Sequence, residues 1–297
     1  MKNFFDCLSS QPALPAFAGP HDGFHFMLRL ADRDTTRLLQ AGDPDPVEWI
    51  NSAGRSAIFL TCEHAGRAVP AALGDLGIAP EEMDRHIAYD VGAEGVARGI
   101  SQHLDAALVL QRYSRLVIDC NRPFAAADCI VAQSDGTVVP ANADVSDRDR
   151  RGRYVEIHQP LHEAIAVALD QRQAAGKALF LVSVHSFTPM MRATGVVRNF
   201  ELGLLYNRDA RFAEQLAEFF RLSNPDITVR LNEPYHVDDL SDYTIPMHGE
   251  RRGIPHVLLE VRNDLINDAR GQQEWADRLA GPLRFAAEAL EGTIDGR

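Results

Sequence analysis

Two apolar runs of this chain end in a histidine. Residues 57–66 read AIFLTCEHAG and residues 178–186 read ALFLVSVHS, so His64 and His185 each follow a stretch with the length and composition of a buried strand. Open α/β sheets bind their ligands just beyond the carboxyl ends of their strands. We therefore expect both rings at that edge of a sheet. For either one alone, a structural histidine bonded to a backbone carbonyl is the alternative.

Strands and helices alternate along the rest of the chain. Strands are predicted at 56–61, 107–110, 116–120, 178–184, 201–206, 228–231 and 256–261, helices at 80–89, 92–104, 154–175, 211–221 and 272–290, and a polar loop at 136–150. This alternation is typical of a three-layer α/β/α domain around a mostly parallel, mixed central sheet. Residues 1–50, interrupted by prolines and glycines, are predicted to be an N-terminal extension packed on this main domain of residues 51–297.

The bulk composition favours an ordinary globular protein. Of the 297 residues, 45% are hydrophobic, the formal net charge is -12 and the sequence pI is about 5.3. An acidic chain is not expected to bind nucleic acid non-specifically, because such binding needs a basic face. No apolar run approaches the ~20 residues of a membrane span, and no basic stretch with an apolar core begins the chain, so we expect no membrane partner and a cytoplasmic location.

Two carboxylates join the histidines as candidate functional groups. Asp90 comes just before a predicted helix, and Glu260 ends the apolar run 257–260. Two histidines and a carboxylate suit Zn²⁺ with one coordination position left for water, and a further carboxylate suits a general base. We predict a metal site of His64, Asp90 and His185 that takes Zn²⁺ first, although Mn²⁺, Fe²⁺ or Co²⁺ accept the same ligands.

Each of these carboxylates has an alternative. From spacing alone, Asp90 is more typical of a helix N-cap. Glu63 is a rival third ligand, but side chains alternate across an extended backbone, so it should point away from His64. Glu260 is alternatively the ion-pair partner of Arg262, two residues on along the same face of the strand.

Residues 113–123, YSRLVIDCNRP, place several polar groups around an apolar stretch. Asn121 and Arg122 at its end are predicted to clamp a substrate carboxylate, because a guanidinium binds a carboxylate through two parallel hydrogen bonds. A surface salt bridge is the alternative for Arg122.

Three more histidines are weaker candidates. His248, in the polar stretch before the last strand, is predicted at the rim of a substrate pocket. His158 and His162 have i, i+4 spacing on the long predicted helix, but the glutamate that follows the first histidine of a metalloprotease helix is missing. No Gly-x-Ser-x-Gly sequence is present, which argues against a nucleophile-elbow hydrolase.

Taken together, these segments resemble the N-formylglutamate amidohydrolase family. The matching segments follow the family's order between about residues 55 and 290, and they are CEHAG at 62–66, VP at 69–70, DVGA at 90–93, SRLVIDCNRP at 114–123, VHSF at 184–187 and EVRNDL at 260–265. The resemblance implies a phosphorylase/hydrolase-like α/β domain, similar to that of zinc carboxypeptidases, with a metal at His64, Asp90 and His185. It also implies that Glu260 is the general base and that the Asn121-Arg122 pair holds a substrate carboxylate.

The expected activity is metal-dependent hydrolysis of the amide bond of a small anionic N-acyl amino acid, with N-formyl-L-glutamate, which gives formate and L-glutamate, as the first candidate. Arg115 is expected to help polarise the acyl oxygen, and Arg262 to hold a second carboxylate or orient Glu260. One alternative is a carboxylate-binding protein that has lost turnover on the same fold. Another is a zinc amidase or peptidase with a different substrate, its pocket shaped by loops 188–199 and 232–252.

Overall fold

Nine strands lie within residues 37–295, the part of the chain that the computed structural model describes, side chains of residues 293–295 excepted. They are β1 Val47–Ile50, β2 Ile58–Cys62, β3 Ala107–Gln111, β4 Gln133–Ser134, β5 Thr137–Val138, β6 Phe180–Phe187, β7 Leu202–Leu205, β8 Val229–Leu231 and β9 His256–Arg262. Seven of them form one sheet in the order β1-β3-β2-β6-β9-β7-β8, and β4 pairs with β5 separately.

Five α-helices accompany these strands in the same range. They are α1 Ala93–Leu104, α2 Asp147–Arg153, α3 Gln159–Ala174, α4 Arg211–Ser223 and α5 Ala269–Asp295. A π-helical turn, Tyr154–His158, joins α2 to α3, and a second one spans Ile245–Gly249. Short 3-10 turns cover Ala71–Leu73, Pro80–Asp84, Ala127–Cys129, Pro140–Asn142, Glu250–Arg252 and Asn263–Leu265. Among residues 37–295, no helix has the length and apolar character needed to cross a membrane.

The centre of the sheet is parallel. Strands β3, β2, β6 and β9 pair parallel to one another, β1 joins β3 antiparallel, and β7 and β8 run parallel to each other but antiparallel to β9. On β2, Ile58, Leu60 and Cys62 pack against α1, α4 and α5, whereas Phe59 packs on the side of α3. Helices therefore cover both faces, and the predicted three-layer α/β/α fold with a mixed, mostly parallel sheet is confirmed.

On the α3 side of the sheet, side chains change from apolar to polar toward the carboxyl ends of three adjacent strands. Phe59 is followed on that side by Thr61 on β2, Leu181 by Ser183 and His185 on β6, and Leu258 by Glu260 on β9. In the β6–β9 register, Glu260 lies beside His185. Polar groups that are far apart in the sequence thus meet at one edge of the sheet.

The predicted strand at 116–120 is wrong, because this segment turns. The N–H group of Leu116 donates to the Ser114 hydroxyl oxygen at 3.2 Å, and that of Val117 donates to the Ser114 carbonyl oxygen at 2.9 Å. The apolar side chains of the run are buried on the α3 side of the sheet. A short buried run has the same apolar pattern whether its backbone is a strand or a turn.

Part of the predicted loop 136–150 is helical. Helix α2 begins after Ser146, whose hydroxyl oxygen accepts the N–H group of Asp149 at 3.1 Å. A cluster of serine and aspartate is as typical of a helix N-terminus as of a loop, because these side chains cap free N–H groups. The predicted helix at 80–89 is limited to a 3-10 turn over its first five residues.

Most of the predicted extension, residues 1–36, lies outside the described range. The described remainder of residues 1–50 belongs to the sheet domain, since β1 pairs with β3. The N–H groups of Leu38 and Leu39 also donate to the Glu156 carboxylate at 2.7 and 2.9 Å.

Gly66 brings the segment after His64 against a neighbouring backbone. Its N–H group donates to the Gln111 carbonyl oxygen at 2.9 Å, and a Cβ atom on Gly66 would lie 1.9 Å from the Arg112 carbonyl oxygen. We expect Gly66→Ala to lower the free energy of unfolding by about 1–3 kcal/mol or more, because the backbone must move. Urea unfolding measures this change.

Gly292→Ala near the end of α5 is the matched control. Apart from its chain neighbours and the backbone of its own helix, nothing lies within 4 Å of the Cβ position at Gly292, so alanine there should raise the free energy of unfolding by up to about 1 kcal/mol. Equal effects of the two substitutions would show that the close approach at Gly66 does not constrain the fold.

Candidate functional site

Three of the predicted site residues converge on one point. One ligand atom from each of His64, Asp90 and His185 lies within 4.8 Å of the other two, and all three residues are buried. The Nδ1 atoms of His64 and His185 are 3.4 and 2.8 Å from the same oxygen, Oδ2 of Asp90. Ligand atoms about 2.0–2.1 Å from one zinc ion are roughly 3.3 Å apart in a tetrahedral site. The donor set and its spacing therefore fit a divalent metal ion.

A carboxylate lies behind each histidine. His64 Nε2 is 2.7 Å from Asp119 Oδ1, and His185 Nε2 is 3.0 Å from Glu63 Oε2. Hydrogen bonds at Nε2 orient each ring so that its Nδ1 atom faces Asp90. Glu63, the rival third ligand, thus contacts the outer nitrogen of His185. The sequence argument does not single out Asp119, although it lies two residues before the predicted Asn-Arg clamp.

Asp90 is not the N-cap of α1. The cap residue is Gly92, with φ 80°, and no side chain caps the helix. The N–H group of Asp90 donates to the His64 carbonyl oxygen at 2.9 Å, which ties the backbones of two cluster residues together. A Cβ atom on Gly92 would lie 2.0 Å from the Ile266 carbonyl oxygen, so glycine is required there on two counts.

Burial and charge oppose each other at the three carboxyl groups of the cluster. Burial by itself raises the pKa of a carboxyl group, yet the charges and hydrogen bonds of the two histidines hold the pKa of Asp90 below its ordinary range. His185 likewise holds the pKa of Glu63 below its ordinary range. Arg115 and His64 together lower the pKa of Asp119. Three buried carboxylates thus stay charged, an environment that attracts a cation.

Glu260 differs from these carboxylates. It is buried beside His185, and its Oε2 atom has no hydrogen-bond partner in the part of the chain described. Burial raises the pKa of Glu260 to about 8, the charge of His185 opposes this rise, and the Asp90 carboxylate adds to it. A buried carboxyl group with a free oxygen and a pKa near neutrality is suited to accept a proton and to return it.

Arg262 does not pair with Glu260. Its Nε atom is 2.8 Å from Asp264 Oδ1, and its Nη1 atom is 3.3 Å from Glu201 Oε1. The ion-pair alternative for Glu260 is therefore wrong, and the Arg262 guanidinium already has two carboxylate partners in the protein.

Arg115 borders the cluster. Its Nη1 atom is 3.2 Å from Asp90 Oδ1 and its Nη2 atom is 2.6 Å from Asp119 Oδ2, while 26% of the side chain is exposed. The guanidinium thus lies between the buried carboxylates and solvent.

Asn121 and Arg122 lie next to the cluster, but both already have protein partners. Asn121 Nδ2 donates to Asp242 Oδ1 at 3.0 Å, and its Oδ1 atom accepts two backbone N–H groups of the segment 241–244. Arg122 donates to Asp128 Oδ2 at 2.9 Å and to a carbonyl oxygen of the same segment. Asn121 therefore holds a neighbouring loop in place, and a substrate carboxylate at Arg122 would have to share it with Asp128.

The side chains of His158 and His162 contact two different backbone carbonyl oxygens rather than one shared ligand. His158 Nε2 is 2.9 Å from the Arg122 carbonyl oxygen, and His162 Nε2 is 2.7 Å from the Cys120 carbonyl oxygen. The two rings therefore fix the backbone on both sides of Asn121.

His248 is buried rather than at a pocket rim. The π-helical turn Ile245–Gly249 stacks its ring on His162, with His248 Nε2 3.0 Å from His162 Nδ1. Its Nδ1 atom is 3.2 Å from Arg252 Nη1. Both ring nitrogens thus have protein partners.

Comparison with known proteins gives the family of this chain. The sequence model of the N-formylglutamate amidohydrolase family matches residues 56–267, which span the whole cluster. The chain belongs to the N-formylglutamate amidohydrolase family. The resemblance noted from the sequence is confirmed, and the family places the chain among the amidohydrolases.

Two solved structures are similar to this chain. A gene product from Agrobacterium tumefaciens is 33% identical, with a TM-score of 0.80 over 86% of this chain and 100% of that chain. An N-formylglutamate amidohydrolase from Ralstonia eutropha is 17% identical, with a TM-score of 0.56 over 84% of this chain and 100% of that chain. The second likeness shows the shared fold alone. No curated protein matches the chain.

His158 makes the stability of the fold depend on pH. Burial lowers its pKa to about 4, whereas a histidine in the unfolded chain has a pKa of about 6.5. Between these values only the unfolded chain binds the proton, so stability is present above the unfolded pKa and is lost as pH falls toward the folded one. From about pH 7.5 to pH 5, His158 should cost roughly 2 kcal/mol.

His158→Gln keeps a donor for the Arg122 carbonyl oxygen but does not titrate. In urea unfolding of chelator-treated protein, this variant should lose less stability than wild type over the same pH interval. His236→Gln is the control, because His236 is exposed. An identical pH dependence in wild type and His158→Gln would contradict the burial argument.

Proposed function

We propose that this chain is a metal-dependent amidohydrolase that cleaves the amide bond of a small anionic N-acyl amino acid. N-formyl-L-glutamate, cleaved to formate and L-glutamate, is the first substrate to test. The observation that carries this proposal is the convergence of His64, His185 and Asp90 beside Glu260, a buried carboxyl group with a free oxygen. Family membership supports the amide bond as the target.

His64, Asp90 and His185 would hold the metal, and Asp119 and Glu63 would orient the two rings. A bound divalent metal supplies Lewis acidity, which polarises an acyl carbonyl and acidifies water. Zn²⁺ is the first candidate, because two imidazoles and a carboxylate form a known catalytic zinc site. Mn²⁺, Fe²⁺ and Co²⁺ accept the same ligands.

Glu260 transfers the proton. Its Oε2 atom accepts a proton from the attacking water, whose oxygen forms the new bond to the acyl carbon. The same atom returns the proton to the nitrogen as the C–N bond breaks. Burial favours the second step, because a carboxyl group with a raised pKa holds a proton at neutral pH. The Arg115 guanidinium stabilises the negative charge that develops on the acyl oxygen.

Metal content tests the ligand set. Wild-type protein loaded with zinc and freed of excess should retain roughly one equivalent, whereas His185→Ala should retain almost none, because it lacks one of three ligands. Elemental analysis of the purified proteins gives both values. His103→Ala, on the exposed face of α1, should leave the metal content unchanged. Retention of metal by His185→Ala, or no metal in wild type after incubation with Zn²⁺, Mn²⁺, Fe²⁺ or Co²⁺, would contradict the site.

Glu260→Gln tests the proton transfer. The amide can neither accept nor return the proton, so kcat for N-formyl-L-glutamate should fall by about 10²–10⁴-fold while the metal is retained. Glu201→Gln is the matched control, since Glu201 contacts Arg262 at 3.3 Å and lies on the chain just before the neighbouring strand β7. Its kcat should stay near that of wild type. If the metal-loaded Glu260→Gln variant kept the full rate, the proton would have to be transferred by another group.

A wild-type protein that binds metal but hydrolyses no N-acyl amino acid would favour the carboxylate-binding alternative. If the protein hydrolysed N-acetyl amino acids or peptides but not N-formyl-L-glutamate, the proposed reaction would stand and the proposed substrate would be wrong.

A further inference from the structure

Most guanidinium groups around the candidate site are bound to carboxylates of the protein. Arg115 contacts Asp90 and Asp119, Arg122 contacts Asp128, and Arg262 contacts Asp264 and Glu201. Arg198 is different, because its hydrogen bonds go to uncharged acceptors, the Thr188 carbonyl oxygen at 3.3 Å and the Tyr235 hydroxyl oxygen at 3.1 Å. Within residues 37–295 it forms no ion pair with a carboxylate.

One edge of the Arg198 guanidinium is free. Both of its hydrogen bonds use Nη1, so the edge formed by Nε and Nη2 has no hydrogen-bond partner among the described residues. With this same edge Arg115 holds Asp119, its Nε and Nη2 atoms 3.0 and 2.6 Å from Oδ2. Arg198 thus presents the edge that guanidinium groups use for carboxylates.

Arg198 stands beside the carboxyl end of β6. Its N–H group donates to the Pro189 carbonyl oxygen at 2.8 Å, which folds this segment back toward the strand. The guanidinium carbon lies 5.9 Å from the ring centre of Phe187 and 4.8 Å from that of Tyr235. Phe187 is two residues after His185 on the same face of the strand. The guanidinium therefore lies near the carboxyl end of β6, on the side of the sheet that carries the cluster.

The Arg198 side chain is half-buried. A half-buried cation at the carboxyl end of the strand that carries His185 is placed to hold an anionic part of the substrate.

We infer that the Nε–Nη2 edge of Arg198 binds the side-chain carboxylate of the substrate and sets a preference for an acidic acyl amino acid over its neutral amide counterpart. The rings of Phe187 and Tyr235 hold the guanidinium in place through cation–π contacts. Arg198 thereby takes the second-carboxylate role that the sequence assigned to Arg262. This inference rests on the proposed hydrolysis of N-acyl amino acids.

The test compares N-formyl-L-glutamate with N-formyl-L-glutamine, which differ only at the end of the side chain, a carboxylate in the first and an uncharged amide in the second. Wild type should prefer the glutamate substrate. Arg198→Gln should lower kcat/KM for that substrate by about 10- to 100-fold, mainly through KM, because a charge-assisted hydrogen bond is lost. Its kcat/KM for the glutamine substrate should stay nearly unchanged. Arg198→Lys keeps the charge but not the two-nitrogen edge, and should retain part of the preference.

Arg192→Gln is the matched control. Arg192 lies in the same segment, is exposed, and contacts Glu82 at 3.1 Å, so this variant should keep the wild-type preference. An equal loss for both substrates in Arg198→Gln would place Arg198 on the α-carboxylate and overturn the inference, as would unchanged kinetics.

A binding measurement separates this inference from the proposed activity. Calorimetric titration of zinc-loaded wild type and Arg198→Gln with L-glutamate and with L-glutamine needs no turnover. A preference for L-glutamate that Arg198→Gln abolishes supports the inference even if N-formyl-L-glutamate is not hydrolysed. The absence of any preference in wild type overturns it even if hydrolysis occurs.

Discussion

Charge buried at the carboxyl ends of the parallel strands is the constraint on which the site depends. A carboxylate taken out of water costs several kcal/mol unless a partner compensates it. The three carboxylates of the cluster, Glu63, Asp90 and Asp119, are contacted by His64, His185 and Arg115. Because each of these three partners contacts two of the carboxylates, the loss of one partner disturbs the whole cluster. Backbone contacts such as that at Gly66 hold it to this geometry.

The position of the site followed from the sequence, but its internal arrangement did not. His64 and His185 were identified because they follow buried strands, which can be recognised from the local composition of the sequence. Strand alternation also separated Glu63 from His64. It does not say what Glu63 meets, which is the Ser183 hydroxyl group at 2.7 Å, 120 positions away. The choice between Nδ1 and Nε2 as the inner nitrogen likewise depends on a distant carboxylate.

The cationic residues illustrate the same limit. From the sequence, Arg262 was a candidate for a second substrate carboxylate, and Arg198 was not singled out. The structure pairs Arg262 with Glu201, 61 positions away, whereas Arg198 has no carboxylate partner among the described residues. Pairing of this kind depends on which loops meet after folding, and residue type does not record it. The helix cap proposed for Asp90 failed for a similar reason, since its side chain contacts two histidines that are distant in the sequence.

The ribosome releases β9 last of the nine described strands, yet β9 lies between β6 and β7 in the sheet. The strands made earlier can form the parallel part of the sheet on one side and the β7–β8 pair on the other. In the sheet these two parts do not pair with each other directly. Strand β9 joins them, because it pairs with β6 on one side and with β7 on the other. Glu260 arrives on that strand. A growing chain can therefore assemble His64, Asp90 and His185 while it still lacks Glu260, and the proposed hydrolysis would wait for β9 to be synthesised and inserted.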